Sequence, residues 1–196
     1  MRAPLVLPPY LGSLIIGLVV LAVFGLLWIL AAPAVKYDRG EFLKSPEVVK
    51  IRTDLAAGRS ESARSASLKL EEEMWWYSGI PSAIVAATYL QEHFEGDEGA
   101  LERAGGYAQK AYDREECHIT QYYLGIYYYE INEFVLSEEL LTRAYTGFIR
   151  RRAMDNAPKI PPHWLESLLA LLNAAKDAES KRLRVDLREL NWKFLL

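Results

Sequence analysis

Cysteine is almost absent from the 196 residues: Cys117 stands alone, which excludes an intrachain disulfide framework and any four-cysteine zinc site. Histidine is nearly as scarce. His93, His118 and His163 form no His-Glu-x-x-His pattern, and adjacent Cys117 and His118 point to different faces of a helix. Glu115-x-x-His118 has the spacing of a carboxylate di-iron pair, but that site needs a second copy, and neither other histidine has a carboxylate three residues before it. The chain also lacks a phosphate-binding Gly-x-x-x-x-Gly-Lys loop, a Gly-x-Ser-x-Gly elbow and a Cys-x-x-Cys-His haem attachment. These absences point away from an enzyme, a cofactor or a metal. Basic charge is in deficit too. Residues 36–196 carry all 26 acidic and 22 of the 23 basic residues, a net charge of −4, whereas binding nucleic acid needs a basic face.

Charge is missing altogether between Arg2 and Lys36. Within that stretch, residues 11–32 are apolar apart from small residues, and their ~33 Å as a helix matches a hydrocarbon core of ~30 Å. This predicts a single transmembrane anchor over 1–34, with Leu14, Ile15, Leu18, Leu21, Phe24 and Trp28 among its lipid-contacting residues. Tyr10 and Trp28 suit the headgroup zones, and Pro8, Pro9 and Pro33 bracket the span. The rival reading is a cleaved signal peptide ending at Ala32-Pro33-Ala34, but the apolar run exceeds the ~7 to 15 residues of a signal core. With no His, Asp, Glu, Lys or Arg, the span offers no ligand for a chlorin or haem and no proton path. Lys36, Arg39, Lys44, Lys50 and Arg52 follow it closely while only Arg2 precedes it, which favours a cytoplasmic body at the cell membrane. The extracytoplasmic placement is the alternative, since Asp38 and Glu41 offset the nearest cations.

Beyond a connector at 35–45, no period-two run argues for a sheet, and helical periods recur between breakers. The expectation is an all-α body over 46–196 with eight helices in four hairpins. Their spans are Pro46 to Ala57, Ser60 or Ser62 to Tyr77, Pro81 to Glu95, Glu98 to Asp113, Cys117 to Ile131, Glu133 to about Ala153, His163 to Lys176 and Glu179 to about Phe194. Turns this short make neighbouring helices antiparallel.

A repeat runs through these pairs. Lys110-Ala111-Tyr112 returns as Arg143-Ala144-Tyr145, each near the end of the second helix of its pair. Leu124-Gly125-x-x-Tyr128, followed by Phe134, Ser137, Leu141 and Ala144, resembles the tetratricopeptide repeat, although Gln121 stands at the family's Trp position and no proline closes the unit. Gly96-Asp97 with Ala104, Ala108 and Ala111 makes a weaker copy, and Gly58 with Ala63 a weaker one still. The resemblance spans about 46–155 and implies an α-solenoid that binds proteins. Independently of it, Gly125 opposite Ser137 and Ala144 lets two helices approach closely while Leu124, Tyr128 and Leu141 fill the joint.

Candidate contact residues follow. Tyr122, Tyr123, Tyr127, Tyr128 and Tyr129 crowd one helix and cannot share a face. If Leu124 and Tyr128 enter the hairpin, then Tyr122, Ile126, Tyr129 and Glu130 lie elsewhere, either lining what a tetratricopeptide array implies is a concave groove or packing on neighbouring hairpins. The end of the chain is apolar, so Trp192, Phe194, Leu195 and Leu196 are expected to fold back or to dock on a partner or the bilayer. Glu71-Glu72-Glu73 and Arg150-Arg151-Arg152 read as solvated faces, the arginines with anionic lipid or an acidic partner as the alternative. The function expected is a membrane-anchored scaffold, an accessory subunit contacting other protein subunits of a membrane complex. The alternative is a tethered chaperone or assembly factor that grips peptides.

Overall fold

The computed structural model describes residues 42–74, 78–152, 162–181 and 185–187. Backbone contacts divide the chain into two units, Met1–Asp38 and Arg39–Leu196, and every described residue belongs to the second. The expected span at 11–32, with Leu14, Ile15, Leu18, Leu21, Phe24 and Trp28, lies outside the described residues, as do Trp192 and Phe194. No helix among the described residues is long and apolar enough to cross a membrane.

Those residues form seven α-helices and no strand: α1 Pro46–Ala56, α2 Ser60–Met74, α3 Ile80–Glu95, α4 Ala100–Arg114, α5 His118–Glu130, α6 Phe134–Arg152 and α7 Pro162–Lys181. Local chemistry sets the ends. Pro46 occupies the first turn of α1, and the Ser45 hydroxyl accepts a 3.4 Å hydrogen bond from the Val48 amide. Gly96 closes α3 with φ of 108°, a left-handed position that costs glycine little. The Cys117 amide donates to the Thr120 hydroxyl at 3.0 Å and so starts α5.

One expectation is corrected. A break was expected between Lys176 and Glu179, followed by an eighth helix, but α7 continues to Lys181. Nothing in Asn173 to Ser180 is a glycine or proline, so the helix has no reason to stop there. Val185 and Asp186 then lie outside any helix.

Each helix packs on its neighbours in sequence, most extensively within the α3–α4 and α5–α6 pairs, and α3 also touches α5. Connections of three or four residues within these pairs impose antiparallel packing. Leu141, fully buried, lies so close to Gly125 that an added Cβ there would meet its Cγ at 2.9 Å. The buried Ser137 hydroxyl spans the same joint by donating to the Gly125 carbonyl at 2.8 Å. Across hairpins, Ala86 of α3, Ala108 of α4, Leu124 of α5 and Leu140 of α6 share one core cluster, ringed by Tyr107, Tyr112, Tyr127 and Tyr128. Full burial of a side chain such as Leu124 contributes ~1.5 to 3 kcal/mol.

Two helices are enclosed on all sides. Every residue from Ile80 to Glu92 in α3 and from Ile119 to Ile126 in α5 is buried, consistent with sequences that are apolar or small around most of the helix.

Candidate interaction face on helix α5

Helix α5 carries the aromatic residues singled out from sequence, and its burial revises their placement. Tyr122, Ile126 and Tyr129 do lie together away from the Gly125–Leu141 joint, but all three are buried to 1% exposure or less. They are therefore not an open groove wall as they stand. Tyr122 packs edge-on against its neighbour Tyr123 at 5.1 Å, and Tyr129 edge-on against Phe134 at the start of α6 at 5.4 Å. Burial pushes the Tyr122 and Tyr123 hydroxyls far above the usual phenol range, so both stay neutral. Glu130, mostly buried, reaches His93 at the end of α3, with Oε2 3.5 Å from Nε2, and so ties the ends of the two enclosed helices together.

Part of the cover over α5 comes from far along the chain. The Tyr129 hydroxyl donates to the Val185 carbonyl at 2.9 Å and accepts from the Val185 amide at 2.8 Å. Two residues on, Leu187 is fully buried, whereas Asp186 between them is exposed. The start of the chain's terminal stretch is thus folded back, although the apolar residues expected to do this lie beyond the described ones.

Exposed apolar side chains lie elsewhere: Val49 on α1, Ile149 on α6 and Leu169 on α7 stand singly, and three more fall at one turn. At the tip between α5 and α6, Ile131, Val135 and Leu136 are 36%, 62% and 42% exposed. Asn132 turns the chain there with φ of 67°. Sequence reasoning missed this tip because it followed the aromatics; the available signal was Val135-Leu136 placed directly after a turn.

The charged clusters hold hairpins together. Glu71 is buried, not solvated: its Oε1 lies 2.7 Å from Lys110 Nζ and 2.9 Å from Arg114 Nη1, and accepts from the Ser82 hydroxyl at 3.2 Å. Burial alone would raise its pKa, but these hydrogen bonds outweigh it and hold the carboxyl below the usual range. Glu72 and Glu73 are exposed. Asp54, in the last turn of α1, accepts from Arg59 and Ser62, which lower its pKa. Glu92 shows the opposite balance: burial raises its pKa despite Arg64 at 3.1 Å.

The spaced pair Glu115 and His118 diverges. Glu115 accepts from the Gly79 amide, while the His118 ring packs edge-on against Phe148 at 4.3 Å. Cys117 is a buried free thiol, and among the described residues no three His, Cys, Asp or Glu side chains are grouped to hold a metal ion. No protein-family model, curated protein or solved structure matches the chain.

Proposed function

We propose that this chain is a membrane-anchored scaffold, a short α-solenoid of tetratricopeptide type behind a single N-terminal span, that serves as an accessory subunit of a membrane protein complex. The observation that carries the reading is the exposed apolar tip. Ile131, Val135 and Leu136 are all exposed at one end of the α5–α6 hairpin, where a partner's cover would remove their cost. Support for the solenoid comes from helices that pack in sequence order, from the contact between α3 and α5, and from the small-against-large joint of Gly125 and Leu141. Support for the anchor comes from the uncharged run at 11–32, and the cations after it favour a cytoplasmic body. Protein subunits and the bilayer are the partners; nucleic acid, a cofactor and catalysis have no part in this reading.

Purification from membranes in mild detergent tests it. A stoichiometric partner should survive gel filtration, and Val135→Asp with Leu136→Asp should release that partner without loss of helicity. Absence of any stoichiometric partner sinks the reading. A second reading, a tethered chaperone or assembly factor, is favoured by the Tyr129 contact, which engages the main chain of Val185 and is indifferent to its side chain. Heterogeneous, substoichiometric clients in the same purification would select it.

A further inference from the structure

We infer that the face of α5 around Tyr129 is a binding site for a short peptide segment, occupied here by the chain's own residues 185–187. The protein partner reaches it by displacing that segment with one of the same kind, in which a leucine follows two residues after the residue whose main chain Tyr129 holds. This deepens the scaffold reading and rests on it. The contact is made to main chain, since one hydroxyl satisfies both the amide and the carbonyl of Val185. An apolar anchor accompanies it, because Leu187 is fully buried two residues later while Asp186 faces out. The Tyr129 ring is held edge-on against Phe134 at the start of α6, a contact independent of the segment, which limits the side-chain entropy lost on binding.

The resident segment has the features of something that can leave. It lies 56 residues from Tyr129 in sequence, belongs to no α-helix, and is attached only three residues beyond the end of α7. Tethering nevertheless gives it a high effective concentration, so a competitor in solution sees a site that is mostly closed. A site free one-tenth of the time binds a competitor ~10-fold more weakly than a permanently free one.

The test uses the full chain in mild detergent and a fluorescein-labelled peptide of residues 182–190, read by anisotropy. Leu187→Asp in the chain should expel the resident segment and tighten peptide binding by ~10-fold or more relative to the unaltered chain. Adding Tyr129→Phe should weaken that binding ~5-fold or more, since it removes two hydrogen bonds to the main chain. Should Leu187→Asp unfold the body, Val185→Pro replaces it, because it removes the donated amide without placing a charge in the core. No gain in either released variant, or a gain insensitive to Tyr129→Phe, overturns the inference. So does a dimer in light scattering that dissociates with Leu187→Asp, since the occupant would then be a second copy. Partner retention is read separately: peptide binding that fails while a stoichiometric partner still co-purifies overturns this site alone, and peptide binding without any partner upholds the site while the scaffold reading falls.

Discussion

Adjacent glycines in the middle of α4 should respond to the same substitution with opposite signs. Gly105 is buried, and a Cβ there would lie 2.3 Å and 2.4 Å from ring carbons of Tyr127 on α5; Gly106 is exposed, with nothing within 4 Å of its added Cβ. Each Gly→Ala change gains ~0.8 to 1.0 kcal/mol of helix propensity. At Gly106 that gain stands alone, so Gly106→Ala should raise stability by ~0.5 to 1 kcal/mol. At Gly105 the methyl would sit far inside van der Waals contact, and the Tyr127 ring must move from its place beside Ala108 and Leu124. Overpacking of this kind costs ~1 to 3 kcal/mol, leaving Gly105→Ala neutral to ~2 kcal/mol destabilising. At ~2 to 4 °C per kcal/mol for a chain of this size, the two variants should melt several degrees apart by circular dichroism in detergent. Tyr127→Ala supplies the control: once the ring is gone, Gly105→Ala should stabilise as much as Gly106→Ala does. Equal stabilisation by both alanines with Tyr127 present would refute the close approach of α4 and α5.

Three further outcomes follow from the buried polar groups. Ser137→Ala removes the hydroxyl that donates to the Gly125 carbonyl and should cost ~0.5 to 1.5 kcal/mol in a urea melt, with the m-value unchanged. Glu71 has its folded pKa below its unfolded one, so its contribution is complete above the ordinary carboxylate range and disappears as pH falls through the folded value. Glu71→Gln should therefore be destabilising at pH 7, by ~1 to 2 kcal/mol because Lys110 is 41% exposed and screened, and should approach the unaltered chain in acid. Glu92 is raised by burial and carries the reverse sign: its contribution is present below the unfolded pKa and lost as pH rises through the folded one. Relative to the unaltered chain, Glu92→Gln should gain stability from acid to neutral pH.

Much of the helical layout could be read from single residues. Pro46, Gly58 and Gly96 mark ends that the chain obeys within a residue or two, because proline lacks a donor and glycine tolerates positive φ. The end of α7 was illegible for the converse reason: Ala174 to Ala178 contains good helix formers and no breaker. Placement of the α5 aromatics was half legible. Spacing put Tyr122, Ile126 and Tyr129 on one side, but tyrosine suits a core as well as an interface, and the chain that meets Tyr129 comes from 56 residues away. Glu71 failed similarly. Its partner Arg114 is 43 residues distant, and no local pattern separates it from exposed Glu72.

Enclosure of α3 and α5 changes where recognition has to occur. A residue buried on every side cannot meet a second protein unless part of the fold moves, so the enclosed tyrosines act only through displacement of what covers them. An exposed residue such as Val135, in the first turn of α6, needs no such movement. The two surfaces therefore differ in kinetics as well as place. Docking on the α5–α6 tip should approach the ordinary association rate of preformed patches, ~10⁵ to 10⁷ per molar per second, whereas entry beside Tyr129 waits on release of residues 185–187. A partner that uses both would engage the tip first and compete for α5 second, with the first contact supplying the effective concentration that the competition requires.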